Sequence, residues 1–323
     1  MSITLDDLSF LSSDAGERVL SRLADEDLRD ERTLALITSL RRDLSGQQAG
    51  AALELARLRK KAVSKFGDDA SKLYFTREAL EQASDPLIRG YRARSFSSGW
   101  QIVDACCGIG ADSLAFAQAG AEVTGLDIDP VRVEMAGLNA QALRIENAHF
   151  EVADVREGVP VASLVFFDPA RRDEQGKRIF DVEKYQPPLS LVREFWAMGY
   201  IAKLSPGVDM VQLEPYKREG AFVTFVSVNG DLKEALLNQD YLPGGYDTAV
   251  LITENCVYER DNLQSGETAP ISEPRGWLVE PDPAIIRAGL VADVAIELGG
   301  AQLDPEIAYI TTDEKPDSPW VRA

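Results

Sequence analysis

From residue 100 onward, the chain alternates short apolar segments of strand character with segments of helical periodicity. The strand pattern WQIVDA (100–105) is followed by a helix pattern, ADSLAFAQAG (111–120), and then by a second strand pattern, AEVTGLDI (121–128). The alternation continues as far as YDTAVLITE (246–254). Because strands joined by helices form parallel sheets covered on both faces, the pattern predicts an α/β fold with a seven-stranded sheet.

The later part of this alternating segment contains two further predicted helices, PPLSLVREFWAMG (187–199) and DLKEALLNQ (231–239). The second of them stands between the predicted strands AFVTFVSV (221–228) and YDTAVLITE (246–254). A single connecting helix allows one of these two strands to form an antiparallel edge of the sheet.

Sequence patterns outside the alternating segment divide the chain into further parts. Residues 1–97 carry apolar residues at helical spacings, including a long helix, GQQAGAALELARLRKKAVSKFG, that ends at Gly67. Residues 98–254 form the predicted sheet domain, and the polar, aperiodic stretch 255–273 is typical of a linker. The remaining residues, 274–323, predict a small α+β appendage.

Composition restricts the environment and the partners of the chain. With 34 Lys and Arg against 53 Asp and Glu, the net charge is −19, which disfavours a polyanionic partner except where positive charge is locally concentrated. No apolar run approaches the ~20 residues of a membrane span, and MSITLDDLSF lacks the basic start of a signal peptide. Three cysteines, two of them adjacent, cannot form a disulfide framework. We therefore expect a cytoplasmic protein without a membrane partner.

The stretch VDACCGIGADSL (103–114) combines an acid with two glycines between a predicted strand and a predicted helix. Glycine at Gly108 and Gly110 permits positive φ and lets a ligand approach the backbone and the helix N-terminus. Asp127, nineteen residues after Gly108, ends the next strand, where an acid can accept both ribose hydroxyls of an adenosine cofactor. This arrangement is shared by NAD-type and S-adenosylmethionine-type sites.

Charge favours S-adenosylmethionine over NAD. A dinucleotide site requires a third glycine, but residue 113 is Ser. Acids end four successive strands instead, at Asp104, Asp127, Asp154 and Asp168. Carboxylates suit the ammonium and sulfonium of S-adenosylmethionine better than they suit a pyrophosphate.

The motifs VDACCGIGADSL, GLDIDP, ADV and FFDPARR resemble motifs I to IV of class I S-adenosylmethionine-dependent methyltransferases, in order and at the spacing of that family. The resemblance covers roughly residues 72–254 and implies a Rossmann-like seven-stranded sheet. The chain is most similar to bacterial members with a THUMP-like C-terminal segment and more distantly to trimethylguanosine synthase. LYFTREALEQAS (73–84) resembles the segment that covers the cofactor in that group, and residues 281–311 resemble the opening of the THUMP-like segment, which we expect to be cut short at Ala323.

The resemblance implies specific roles for these residues. Asp104, Gly108 and Gly110 would hold the methionine part of the cofactor, and Phe75 and Thr76 would line its pocket. Asp127 would bind the ribose, and Asp154 with Val155 the adenine, while the adjacent Ile128 would be a further cofactor-binding residue. Asp168 and Pro169 would be the catalytic pair of motif IV. No metal is implied.

Motif IV departs from the pattern of the enzymes that methylate amines, which continue with a second proline and an aromatic residue. Here Ala170 and Arg171 stand at those positions, so methylation of a planar base nitrogen is placed in doubt. Arg171 and Arg172 can instead hold a phosphate or carboxylate of the substrate.

The Cys106–Cys107 pair has no CxxC partner and is interpreted as packing. No cysteine lies beside Pro169 to act as the nucleophile of carbon-5 pyrimidine methylation.

A basic island extends from Arg57 to Arg94, with ten Lys and Arg against five Asp and Glu. Within it, Arg59, Lys60 and Lys61 form a cluster that either contacts RNA phosphates or is simply a solvated helix face.

The sequence therefore predicts an S-adenosylmethionine-dependent methyltransferase acting on RNA. A methyltransferase for a small molecule or protein, and a non-catalytic module that binds the cofactor or RNA, remain alternatives. An NAD-linked dehydrogenase is disfavoured because no residue is evident in a hydride-transfer role.

Overall fold

The computed structural model describes residues 3–173, 175–239, 245–263 and 266–322. The ends of the predicted N- and C-terminal parts and residues 264–265 of the predicted linker lie outside this range. Contacts divide the chain into two compact units, residues 1–162 and 163–323.

The first unit contains a helical region followed by three strands with intervening helices. Its helices are α1 (Leu5–Leu11), α2 (Asp14–Ala24), α3 (Thr33–Leu40), α4 (Gly46–Phe66), α5 (Arg77–Gln82), α6 (Pro86–Ala93), α7 (Ala111–Gln118) and α8 (Pro130–Leu143). Its strands are β1 (Gln101–Ala105), β2 (Glu122–Asp127) and β3 (Ala148–Val152). Sequence reasoning predicted the long helix α4 correctly, including its end at Gly67, where φ is 55°.

The helical region is built around α4. Ser45 and Gln48 cap its first turn reciprocally, which satisfies backbone N–H groups that would otherwise lack partners. Its apolar face, including Leu55 and Leu58, is buried against leucines of α1, α2 and α3. The same hydrophobic core includes Met135 of α8. The helical region therefore shares one core with a helix that flanks the strands.

The three strands of the first unit lie in the order β3-β2-β1 and are all parallel. Gln101 pairs with Glu122, and Val123 pairs with Ala148, so the three strands end at the same edge. Parallel pairing therefore gathers the segments that follow them, which include the acids predicted to bind the cofactor.

The second unit contains a mixed set of strands and a small antiparallel sheet. Its elements are β4 (Ala162–Phe167), β5 (Ala197–Leu204), α9 (Glu214–Arg218), β6 (Phe222–Val228), β7 (Asp231–Gln239), β8 (Thr248–Ile252), β9 (Val257–Asp261), β10 (Trp277–Pro281), α10 (Pro283–Arg287), α11 (Val291–Glu297), β11 (Ala301–Asp304), β12 (Ile307–Thr312) and β13 (Val321–Arg322). The first six strands lie in the order β4-β5-β7-β6-β8-β9. β8 is parallel to β6, whereas β7 and β9 are antiparallel to their neighbours.

Three predicted elements in the second unit were wrong. Residues 231–239, predicted as a helix, form β7, because Asn229 and Gly230 both adopt positive φ in a two-residue turn and fold the chain back onto β6. The predicted helix over 187–199 is a 3₁₀ turn, Leu189–Glu194, that leads directly into β5. Residues 257–261 of the predicted linker form β9, which pairs with β8.

The small sheet has the order β11-β12-β10-β13 and is attached to the larger set of strands through α10. Ser227 of β6 donates a hydrogen bond of 2.7 Å to Asp282, whose carboxylate caps α10. Arg287 lies over the ring of Phe225 at 5.0 Å and donates to the carbonyl of Val208. The predicted C-terminal appendage thus packs on β6.

The predicted fold class is confirmed: the fold is α/β, with a helical N-terminal region and a small α+β C-terminal appendage. Within the described ranges, no helix has the length and hydrophobicity needed to cross a bilayer.

Candidate active site

The loop between β1 and α7 has a backbone that requires glycine. Residues Cys106, Gly108 and Gly110 all adopt positive φ, at 70°, 57° and 79°. A Cβ atom on Gly110 would lie 3.0 Å from the ring of Phe150, whereas a Cβ on Gly108 would meet no atom within 4 Å. Gly110 is therefore restricted by packing, and Gly108 leaves an open face that a ligand can approach.

Asp127 joins the end of β2 to this glycine loop. Its Oδ2 accepts a hydrogen bond of 2.9 Å from the backbone N–H of Gly108, and its Oδ1 accepts one of 2.9 Å from Asp129. The side chain is buried, yet the adjacent Ile128 is 64% exposed. Each carboxylate oxygen retains a lone pair, so the fixed carboxylate can still accept hydrogen bonds from a diol.

Asp104 lies beneath the same loop and is almost fully buried. Ser113 of α7 donates its hydroxyl hydrogen bond to Asp104. The serine that stands in place of a third glycine therefore holds the acid of β1.

Burial, reinforced by the nearby carboxylates of Asp104 and Asp127, raises the pKa of the Cys107 thiol well above its usual range. This thiol is accordingly a packing group rather than a nucleophile.

Asn139 of α8 connects the glycine loop to the segment predicted to cover the cofactor. Its Oδ1 accepts a 2.7 Å hydrogen bond from the N–H of Tyr74, and its Nδ2 donates to the carbonyls of Tyr74 and Ile109. The side chain is only 2% exposed. Sequence reasoning missed this residue, because a single polar position within an apolar helix carries no distinctive pattern.

Phe75 and Thr76 follow Tyr74 immediately. Phe75 is completely buried, with its ring centroid 5.2 Å from that of Phe66. Thr76 accepts a hydrogen bond of 3.1 Å from Ala79 and so caps α5. Through Asn139, the structure brings this predicted cover segment next to the glycine loop.

Asp154 and Val155 follow the end of β3. Arg156 donates to both oxygens of Asp154, and these hydrogen bonds lower the pKa of the carboxyl group. Val155 is buried. Because β1, β2 and β3 end at one edge, Asp154 belongs to the same group of segments as Gly108 and Asp127.

Asp168 and Pro169 follow β4 in the second unit. The Nζ of Lys203, on β5, donates a hydrogen bond of 2.6 Å to Asp168 Oδ2. The Lys203 side chain is 6% exposed and that of Asp168 is 24% exposed. Sequence reasoning missed Lys203, although a lysine inside the apolar strand YIAKL was a usable signal, since a buried lysine requires a partner.

Arg171 and Arg172 begin a hairpin that extends from Ala170 to Gln186. Arg171 is half-buried. Burial of Tyr185 raises the pKa of its hydroxyl group, and the positive charge of Arg171 partly opposes that rise. Arg172 is exposed and donates a hydrogen bond of 2.9 Å to the carbonyl of Gly176.

The predicted cluster on α4 is bonded largely to the protein itself. Arg59 donates hydrogen bonds of 2.9 and 3.0 Å to the carbonyls of Leu73 and Lys72. Lys60 donates one of 2.7 Å to the carbonyl of Glu26, and Lys61 is exposed. The structure thus accounts for Arg59 and Lys60 without an RNA partner, and contact with RNA stays a prediction.

Comparison with known proteins identifies the family. A family model described as a methyltransferase domain matches residues 96–174, and one for a domain of unknown function (DUF8688) matches residues 4–62. An uncharacterised S-adenosylmethionine-dependent methyltransferase of Mycobacterium tuberculosis is 35% identical over 281 residues, covering 84% of this chain and 76% of that protein. The chain belongs to the S-adenosylmethionine-dependent methyltransferases. This methyltransferase is therefore an enzyme whose cofactor is S-adenosylmethionine.

Two further similarities concern the fold and a part of the sequence. The methyltransferase superimposes on a crystal structure from Porphyromonas gingivalis W83, provisionally named a methyltransferase, with a TM-score of 0.75 at 22% identity, covering 94% of this chain and 80% of that chain. At this identity the likeness establishes the fold alone. An uncharacterised RNA methyltransferase of Listeria monocytogenes is 38% identical over 127 residues, covering 34% of this chain and 28% of that protein.

The first unit of the methyltransferase fits the cofactor in charge and in space. Its buried acids, Asp104 and Asp127, suit a cationic ligand, and the open face of Gly108 leaves room beside them. The exposed Ile128 offers an apolar surface next to the ribose-binding candidate.

Proposed function

We propose that the methyltransferase binds S-adenosylmethionine through the residues at the ends of β1, β2 and β3. In this proposal, Asp104, Gly108 and Gly110 hold the methionine part, Asp127 the ribose, and Asp154 and Val155 the adenine. Phe75 and Thr76 line the pocket, and Ile128 is a further cofactor-binding residue. The observation that carries it is the Asp127 carboxylate, which two backbone N–H groups fix in a buried position while free lone pairs remain.

The reaction is an in-line displacement whose main requirements are positioning and removal of a proton. When bound, S-adenosylmethionine supplies an electrophilic methyl group on a sulfonium. Asp168 orients the acceptor, because Lys203 fixes its Oδ2 while the other oxygen is available to accept a hydrogen from an N–H or O–H group. Pro169 restrains the backbone that follows Asp168.

The proposed substrate is RNA, and the proposed location is the cytoplasm. The partial similarity to uncharacterised RNA methyltransferases supports this substrate, as do the cations of motif IV, Arg171 and Arg172. The likeness of residues 274–323 to a THUMP-like segment and the distant likeness to trimethylguanosine synthase belong to the same proposal. A small molecule or a protein is the second candidate substrate, favoured by the net charge of −19.

Transfer of a labelled methyl group tests this proposal. The purified methyltransferase is incubated with S-[methyl-³H]adenosylmethionine and total RNA from a strain that lacks the gene. We expect radioactivity in the RNA, and nuclease digestion with mass spectrometry then identifies the modified nucleoside. Protein and small-molecule fractions of the same strain test the second candidate. Label in one of those fractions and none in RNA would overturn the choice of substrate.

The same assay tests the role of Asp168. Asp168→Asn should lower turnover by a factor of about 10² or more and leave affinity for S-adenosylhomocysteine within a few-fold. Asp209→Asn is the matched control and should retain full turnover. Asp209 is an exposed acid of the same unit, and its side chain caps the turn that begins at Met210. Unchanged turnover in Asp168→Asn would show that this residue is structural.

A further inference from the structure

The positive charges of this acidic methyltransferase fall into two classes according to what they contact. Most cations of the basic island make hydrogen bonds or ion pairs inside the first unit. For example, Lys65 donates to three backbone carbonyls at the end of α5, and Arg92 pairs with the buried Asp112. Arg57 donates to the carbonyl of Leu28 and to Thr33. Because several bonds or a buried ion pair hold each of these side chains inside the protein, they have limited capacity for an external anion.

The 170–186 hairpin, which follows Asp168 directly, carries cations of the other class. Lys177, Arg178 and Arg172 are exposed, and Arg171 is half-buried. None of these four forms an ion pair with any residue in the described part of the chain, although Arg172 donates one hydrogen bond to the carbonyl of Gly176. Among the described residues, no carboxylate therefore competes with a ligand for these charges.

Backbone hydrogen bonds join the two sides of the hairpin over its described residues, 170–173 and 175–186. Ala170 and Gln186 exchange backbone hydrogen bonds of 2.9 and 3.0 Å, and Ile179 donates one of 2.8 Å to the carbonyl of Arg171. Gly176, with φ of 78°, allows the turn, and Asp173 accepts the N–H of Lys177 at 2.8 Å. The cations are thus held on a defined backbone.

Two arginines face each other across this hairpin. Arg172 pairs with Arg178, and the flanking bonds, from Asp173 to the carbonyl of Lys177 and from Ile179 to that of Arg171, make this a non-hydrogen-bonded pair. Side chains approach most closely at such pairs, and like charges placed opposite each other are destabilising. A polyanion bridging the two guanidinium groups would remove that repulsion.

An exposed aromatic ring lies at the end of the same hairpin. Phe180 is 65% exposed, although the backbone from Phe180 to Val182 is anchored: Gln212 donates to the carbonyl of Phe180 and accepts the N–H of Val182 at 2.9 Å. Interleaved cations and an exposed ring are the features with which proteins bind single-stranded nucleic acid, through phosphate contacts and base stacking.

We infer that the 170–186 hairpin is the RNA-contacting surface of the methyltransferase, with Arg172, Lys177 and Arg178 on phosphates and Phe180 against a base. This inference rests on the proposed RNA substrate and assigns RNA contact to a different element from the cluster on α4. The surface begins two residues after Asp168. The proposed RNA-contacting segment therefore follows, in sequence, the residue proposed to orient the acceptor.

Paired charge-removal variants test the inference. The variant Lys177→Ala/Arg178→Ala is compared with Arg41→Ala/Arg42→Ala, which removes two exposed arginines elsewhere, and with Lys60→Ala/Lys61→Ala on α4. The probe is total RNA from the deletion strain. Filter binding gives the dependence of affinity on salt, and ³H-methyl transfer gives KM and kcat.

We expect the hairpin variant to lose about 1.4 from the log–log salt slope, since each phosphate contact to a single strand contributes about 0.7. Its KM for RNA should rise about tenfold or more, with kcat and affinity for S-adenosylhomocysteine unchanged. Phe180→Ala should weaken RNA binding on the order of tenfold without altering the slope. The Arg41→Ala/Arg42→Ala variant should match the parent, and 4-thiouridine-labelled RNA should cross-link to peptides within 171–182.

Two other results would be decisive. If the parent methylates RNA, and only the α4 variant loses slope and affinity, the hairpin inference is wrong while the proposed function stands. If the parent neither binds nor methylates the RNA, the proposed substrate is wrong and the inference falls with it.

Discussion

The Asp127 carboxylate holds the site together before any ligand arrives. It bridges the N–H groups of Gly108 and Asp129, so the glycine loop and the end of β2 are positioned by one side chain. A buried carboxylate fixed in this way needs no rearrangement to accept hydroxyl groups, which lowers the entropic cost of binding.

Replacing this carboxylate should weaken cofactor binding. Asp127→Ala is expected to cost about 1–3 kcal/mol of binding free energy for S-adenosylhomocysteine, because ribose hydroxyls would be left without acceptors. Isothermal titration calorimetry measures the change. Glu122→Ala, at the exposed opposite end of the same strand, is the control and should bind normally. Equal affinity in Asp127→Ala would contradict the assignment.

The Lys203–Asp168 pair is a second residue-scale feature, since breaking a largely buried pair leaves one charge without its partner. Lys203→Met should lower the free energy of unfolding by about 1–3 kcal/mol, and Lys203→Met/Asp168→Asn should recover much of that loss. Lys233→Met, at an exposed pair with Asp231, should change stability by less than about 0.5 kcal/mol. Urea denaturation measures all three variants. A double variant no more stable than Lys203→Met would show that the pair is not coupled.

At the scale of elements, α8 supplies the connection between the cover segment and the glycine loop. Asn139→Leu preserves bulk but removes three hydrogen bonds, leaving the N–H of Tyr74 and the carbonyl of Ile109 buried without this partner. We expect a loss of about 2–4 kcal/mol in unfolding free energy and about tenfold weaker binding of S-adenosylhomocysteine.

Asn147 provides a matched control for this change. It donates hydrogen bonds of 2.8 and 2.7 Å to the carbonyls of Ala117 and Ala121, away from the glycine loop. Asn147→Leu should destabilise the protein yet leave ligand affinity intact. Equal losses of affinity in both variants would mean that Asn139 acts only through general stability.

Some elements of the fold could be predicted from the sequence, and others could not. The strands of the first unit were predictable because short segments with apolar or alternating residues stand there between segments of helical periodicity. β7 was not, because DLKEALLNQ consists of good helix formers, and the decisive signal lay outside it, in the Asn229–Gly230 turn. Lys203 and Asn139 act through partners 35 and 65 residues away. A lysine in an apolar strand indicates that some partner exists, but no local pattern identifies that partner, and Asn139 lacks even this signal.

At the scale of the molecule, the C-terminal appendage depends on a buried acid. Burial raises the pKa of Asp282, and the hydrogen bonds from Ser227 and Ala284 oppose that effect. A folded-state pKa above the unfolded value means that the folded form binds the proton more tightly. Stability from this group is therefore greatest at low pH and is lost as the pH rises from the unfolded pKa through the folded one.

Removing the charge should accordingly stabilise the protein near neutrality. Asp282→Asn retains an acceptor and an N-cap, so we expect it to be at least as stable as the parent at pH 7.5, with any advantage shrinking toward pH 4. Asp282→Ala loses the cap and should be less stable by about 1–2 kcal/mol. Thermal denaturation across this pH range measures both. A destabilised Asp282→Asn at pH 7.5 would show that the charge is favourable.

The shared core of the first unit has a consequence for how the protein responds to its cofactor. Leucines of α1 to α4 pack in one cluster with Ile109 of the glycine loop and Met135 of α8. A region that packs cooperatively opens cooperatively, and a ligand that binds only the closed form suppresses the opening of all of it. If the cofactor binds the glycine loop as proposed, we expect its binding to slow deuterium exchange at N-terminal amides far along the chain, which would make their exchange a remote record of cofactor saturation.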